Sequence, residues 1–288
     1  MELQWPLIIF TSLIACSAGI FAAQAIYALK GEGKSAQMPA LIASAATLVD
    51  SGIAVFFHLQ HWERIFNGFG HLTSGITQEL IAIVVFAIVM VVYFAMLRRN
   101  EGEVPQWTAI LAIVVSVVLV AVCGHSYMMA ARPGWDSVVW VLALVGAACA
   151  MGPAVVAFII ALKGEETASA GILNIVGSAI NGVATAAGLF VLTTIGSAFT
   201  SFEYYYDLTH PTKDITVGLP SLMGDYGVLT ILGVVVIGII APIACAIMGK
   251  KTGNWKVWGI AIAVCALIGA VCLRVLFYAF GLSVFMFY

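Results

Sequence analysis

Residues 57–80 read FHLQHWERIFNGFGHLTSGITQEL and hold three of the five histidines (His58, His61, His71), Arg64, and the glutamates Glu63 and Glu79. Imidazole and carboxylate groups take and release protons near neutral pH, and arginine adds a fixed charge with a fork of N–H donors. A ligand that surrenders protons suits such a set. Asp50 lies eight residues before His58, a little over two helical turns, so on one helix the two share a face about 12 Å apart. Glu79 comes 21 residues after His58. A loop that leaves and re-enters one membrane face would bring Glu79 back beside His58.

Each residue also has a plainer reading. His61 and His71 fit ordinary loop positions, Arg64 can bind lipid phosphate, and a carboxylate in a first helical turn, as at Glu79, is favoured by free backbone N–H groups. Asp50 is a carboxyl deep in an apolar run, where it either bonds to Ser51 or a neighbouring helix or holds a proton.

The elements that must carry these groups are membrane helices. The chain of 288 residues is 62% hydrophobic and 9% charged, with a mean hydropathy of +1.09, whereas soluble domains carry about 25% charged residues. Eight apolar runs, 5–29, 38–58, 77–97, 107–130, 137–162, 170–197, 227–248 and 255–277, each reach the roughly 20 residues needed to cross a bilayer. None alternates as a barrel strand would. The expected fold is an all-α integral membrane protein, a bundle of eight transmembrane helices forming a single domain over 1–288.

Eight of the twelve basic residues (Lys30, Lys34, Arg98, Arg99, Lys163, Lys250, Lys251, Lys256) fall in the loops after spans 1, 3, 5 and 7, so the positive-inside rule sets both termini outside, together with the loop after span 2. No Lys or Arg precedes Lys30, so the first span reads as a membrane helix rather than a signal peptide. The net charge of −2 and the lack of a basic run give no reason to expect nucleic acid. The six cysteines are scattered without CxxC spacing; they read as packing residues, and no iron–sulfur cluster is expected in this chain.

The segments AIYALKGEGKSA (25–36) and FIIALKGEETAS (158–169) are offset by 133 residues. The offset suggests a parallel repeat, 1–133 and 134–288, although a Lys-Gly turn at an inner helix end is also what capping and charge bias favour. Position 191, the counterpart of His58, is valine, so the second half lacks the polar cluster. The aromatic run FTSFEYYYDLTHPTKD (199–214) reads as an interfacial belt or a docking surface.

A histidine and a carboxylate at a membrane boundary, near an arginine and among apolar walls, suit a quinol: the ring and tail lie in the apolar part, a hydroxyl donates to a neutral imidazole nitrogen, and the nearby carboxylate takes the proton to the outer water. The stretches FHLQHWERIFNGF and SGITQEL, YMMAARPGW (127–135), MGDYGVL (223–229) and LRVLFY (273–278), with the start LQWPLIIFTSLIACSAGIF, resemble the anchor subunit of dimethyl sulfoxide reductase in order and spacing along the whole chain. That resemblance implies eight helices in the bacterial cytoplasmic membrane, menaquinol or menaquinone as exchangeable cofactor at the outer face, and no haem. It implies two partners besides membrane lipid: a ferredoxin-like four-cluster iron–sulfur subunit and a molybdopterin catalytic subunit. It assigns quinol binding to His58 and Glu79, sets Arg64 on a family arginine, and makes Tyr127 a further candidate contact. The chain would then be an electron-transfer subunit, with His58 and Glu79 as its proton-handling pair. Two departures stand out: the His58–Glu79 gap is one residue short, and Ala270 replaces a glutamate expected ahead of Arg274.

Two other readings compete. A cytochrome b needs paired histidines on haem iron, for which His58 and His125 are the candidates. A secondary transporter would use Gln24, Asp50, Asn174 and Asn181 near Pro153 and Pro242, but transporters bind near the midplane, and the densest polar cluster here is at a boundary.

Overall fold

The structure, a computed structural model, describes residues 3–58, 70–200 and 220–283. Among them there is no strand, and eight helices are long and apolar enough to cross a membrane. They are α1 (Trp5–Leu29), α2 (Gln37–Phe56), α3 (Gly75–Arg99), α4 (Gln106–His125), α5 (Val139–Leu162), α6 (Ala170–Thr200), α7 (Leu229–Thr252) and α8 (Trp255–Ala279). The apolar runs in the sequence correspond to them one for one. The largest difference is at α4, which ends at His125 and not near 130, because the chain turns away through Met128–Asp136 in successive backbone turns.

The most buried helices are α1 and α5. They pack on each other, with α2 and α4 also on α1, and α6 and α8 also on α5. Lipid is as apolar as leucine, so burying hydrocarbon gives helices little reason to associate; close backbone approach through small residues does. Gly19 and Gly152 provide it. A methyl carbon at Gly19 would lie 2.3 Å from the carbonyl oxygen of Ala148, and one at Gly152 would lie 2.1 Å from that of Gly19.

Hydrogen bonds add directional ties between helices. Ser17 and Ser44 each donate to the other's carbonyl at 2.8 Å, joining α1 to α2. Gln37 Nε2 donates to the Gln24 carbonyl at 3.0 Å, and the Tyr93 hydroxyl of α3 donates to Gln37 Oε1 at 2.8 Å. In α7, whose first half is wound as a π-helix, Pro242 has no N–H to offer the Gly238 carbonyl four residues back. Asn181 Nδ2 of α6 donates to that carbonyl instead, at 2.9 Å.

At the end of the bundle carrying most of the lysines, two turns brace each other. The Glu32 carboxylate accepts from the Thr167 hydroxyl, from Ser169 Oγ at 3.0 Å and from Ser169 N at 3.2 Å. Glu165, 133 positions later, accepts from Gly33 N at 3.1 Å and from Ser35 N and Oγ. Burial raises the pKa of Glu32, but the Thr167 and Ser169 donors and the nearby Lys30 charge outweigh it and hold the carboxyl below its usual value.

Candidate functional site

The opposite end holds the titratable cluster. Glu79 stands in the second turn of α3, which begins at Gly75 after an extended Ser74. A methyl at Gly75 would lie 3.0 Å from Ser126 Cβ, so the start of α3 rests on the turn that follows α4. That contact carries the Ser126 hydroxyl to Glu79: Oγ donates to Glu79 Oε1 and lies 3.0 Å from the Cys123 carbonyl.

Arg274 enters from α8. It is 5% exposed, its guanidinium carbon is 5.3 Å from the centre of the Tyr127 ring and 4.9 Å from that of Phe277, and its charge acts on the Glu79 carboxylate. Its Nη2 has no hydrogen-bond partner among the described residues. A buried N–H without an acceptor is costly, so this group is set up to receive an oxygen from a ligand or water.

Aromatic packing fixes the geometry. Tyr127, Trp135, Phe277 and Tyr278 form one cluster, with Trp135 stacked on Phe277 at 4.7 Å. Trp135 Nε1 donates to the Phe277 carbonyl at 2.7 Å, Trp140 Nε1 donates to the Gly134 carbonyl at 2.8 Å, and Arg132 donates to the Gly281 carbonyl. The ARPGW turn is thereby pinned against the end of α8, and Tyr127 is held between them.

The predicted site residues fare differently. Glu79 and Tyr127 meet in one cluster about Arg274. His58 follows the end of α2, exposed, and its ring has no hydrogen bond to a described residue. Arg64 and His61 lie outside the described residues, as does most of the aromatic run at 199–214. Asp50 is exposed on α2 and not buried, and Ser51 donates to the Leu48 carbonyl at 2.6 Å in place of Asp50. Sequence reasoning passed over Ser126, which has no motif around it. It noted Arg274 but gave it no task, although a lone arginine within an apolar span is itself a functional signal.

Of the residues in the competing readings, Asn181 and Asn174 have hydrogen-bond partners within the bundle, whereas the buried Gln24 side chain has none among the described residues. His58 and His125 are both exposed at helix ends. Asn181 serves the Gly238 carbonyl, and Asn174 Nδ2 bonds back to the Ala170 carbonyl at 2.9 Å.

Residues 1–282 match the family model of the DMSO reductase anchor subunit (DmsC), nearly the whole chain. The chain belongs to the DmsC family. No curated relative matches it. Family membership and the eight apolar helices make this anchor subunit a multi-pass membrane protein. As an anchor subunit it serves a DMSO reductase type complex, with catalytic and electron-transfer subunits as partners.

Proposed function

We propose that this anchor subunit binds menaquinol at the outer face of the bacterial cytoplasmic membrane, oxidises it in anaerobic respiration, and delivers the electrons to an iron–sulfur subunit that serves a molybdopterin catalytic subunit. One observation carries the reading: the hydrogen-bonded Glu79–Ser126 pair stands beside Tyr127 and a buried arginine N–H that lacks an acceptor.

The donor and acceptor set fits the ligand. A quinol hydroxyl needs an acceptor, which Glu79 offers; the oxygen of the oxidised ring needs a donor, which Arg274 Nη2 offers. The bound quinol supplies two electrons and two protons, and the electrons leave to the iron–sulfur partner. Ser126 owns one hydroxyl proton, so it has two arrangements. While Glu79 is ionised, Ser126 donates to it. Once Glu79 has taken a proton, the acid can donate to Ser126 Oγ, and the serine proton turns to the Cys123 carbonyl 3.0 Å away. The pair can thus take up a proton and stay hydrogen-bonded without moving a helix. Arg274 stabilises the ionised carboxylate and any negative charge that develops on the ligand oxygen.

His58, at the exposed end of α2, is assigned the second ligand oxygen or the proton exit, and Arg64 the orientation of a carboxylate or ring oxygen. The cluster lies at the end away from most of the Lys and Arg residues, which supports placing it, and both termini, outside. The positions 133 apart that meet at the helix crossing and in the paired turns, Gly19 with Gly152 and Glu32 with Glu165, support reading 1–133 and 134–288 as parallel repeats.

Binding tests the assignment directly. In membranes carrying the whole complex, a fluorescent quinol-analogue inhibitor is titrated against wild type and Arg274→Gln. The proposal expects the variant to bind at least about tenfold more weakly, as one charge-assisted hydrogen bond is lost. Unchanged affinity in an assembled complex would remove Arg274 from the site.

A further inference from the structure

At the end opposite the Glu79 cluster a cavity of about 380 Å³ opens between the α1–α2 turn and the α3–α4 turn. That is within the range of about 300–1,000 Å³ usual for small-ligand sites. Its walls are Lys34, Met38, Leu97, Arg98, Glu101 and Gly102. Three charges therefore face one space, and they are not equally free. Lys34 Nζ is already paired with Glu103 at 2.9 Å, whereas neither Arg98 nor Glu101 has an ion pair with a described residue.

Glu101 is also the only described non-glycine residue with a positive φ, at 52°. Asparagine or glycine would adopt that conformation at less cost. A glutamate kept in a strained position at the mouth of a cavity is a motive for looking for its ligand.

The surroundings identify the kind of ligand. Arg98 ends a lipid-exposed stripe on α3, Val91 (67% exposed) and Phe94 (46%), at the spacing that puts residues on one helix face. On α2, Ile42, one turn beyond Met38, is 61% exposed. Trp107, in the first turn of α4, is half exposed at this end, as is usual at the headgroup level of a bilayer. A molecule filling the cavity thus has a polar end among these charges and a hydrocarbon part along α2 and α3.

We infer that the cavity lined by Lys34, Arg98 and Glu101 binds the headgroup of a phospholipid bearing a primary ammonium, a phosphatidylethanolamine. Arg98 takes the phosphate, with its planar fork of donors suited to two phosphate oxygens. Glu101 takes the ammonium. Lys34, neutralised by Glu103, adds a donor without adding net charge. A purely anionic headgroup leaves Glu101 facing a negative ligand, and a choline headgroup offers it no N–H.

Lipid exchange tests this on the full chain in its complex. The detergent-purified complex is stripped of lipid, incubated with equal amounts of phosphatidylethanolamine, phosphatidylcholine and phosphatidylglycerol, and the retained lipid is read by mass spectrometry. The expected result is retention of phosphatidylethanolamine about tenfold above phosphatidylcholine. Arg98→Gln lowers retention of all three lipids. Glu101→Asn, which suits the left-handed backbone and therefore folds, removes the preference for phosphatidylethanolamine and leaves phosphatidylcholine retention as it was. Equal retention of the two zwitterionic lipids, a preference for phosphatidylglycerol, or a preference unchanged in either variant overturns the assignment.

Discussion

Ser126, one residue past the end of α4, donates its hydroxyl proton to Glu79 of α3, 47 positions earlier in the chain. The pair forms because Gly75 lets the start of α3 lie against the serine. Two otherwise unremarked residues thus decide where the carboxylate points.

Ser126→Ala removes the donor that orients the Glu79 carboxylate and leaves Arg274 in position. Quinol-dependent turnover of the assembled complex is expected to fall by about 100-fold, the low end of what a positioned proton-transfer partner contributes, and inhibitor binding to change far less. Steady-state kinetics with a soluble quinol analogue measure both. Ser126→Thr keeps the hydroxyl and is expected to retain most of the rate.

Gly19→Ala places a methyl carbon 2.3 Å from a backbone oxygen of Ala148, an atom that cannot swing aside. The α1–α5 crossing has to open, at a cost of about 1–3 kcal/mol, seen as a lower melting temperature of the detergent-solubilised complex. Gly52→Ala is the control. Its methyl would meet nothing within 4 Å, and replacing a mid-helix glycine by alanine favours the helix by about 1 kcal/mol, so the melting temperature is expected to hold or rise.

Glu32 gives the fold a dependence on pH. Its carboxyl is held below the usual value in the folded protein, so the folded state binds its proton less readily than the unfolded state. Its stabilisation is full above the unfolded carboxyl value, near 4.3, and is lost as pH falls through the lower folded value. Glu32→Gln is expected to melt at a lower temperature at neutral pH and to lose less on acidification. Melting curves from pH 7 to pH 3 check this.

Much of the architecture was legible in the sequence because a membrane helix is specified locally. Twenty apolar residues and a turn suffice, and Trp5–Leu29 and Trp255–Ala279 begin where the hydropathy says they should. The reciprocal glutamates were visible only as a repeated phrase, ALKGE; what the phrase does, each glutamate serving the other's turn, depends on α1 and α5 lying side by side. Glu79 and Tyr127 could be nominated by residue type and resemblance. Ser126 could not, since a serine at a helix end is ordinary and its meaning comes from α3 arriving beside it. Asp50 misled for the opposite reason. Depth in an apolar run suggests burial, but α2 presents that position at its exposed face, because α1 covers only one side of the helix and α3 touches it lightly.

The central claim, that Glu79 takes the proton when quinol is oxidised, is tested most directly by reduction of the partner's iron–sulfur clusters in membranes carrying Glu79→Gln. The amide matches the carboxylate in shape and can still accept from Ser126, so assembly is retained while proton uptake is lost. A quinol analogue is expected no longer to reduce the clusters at a measurable fraction of the wild-type rate, while dithionite, which bypasses the site, reduces them fully. Cluster reduction by the quinol analogue at the wild-type rate in the assembled variant would contradict the claim.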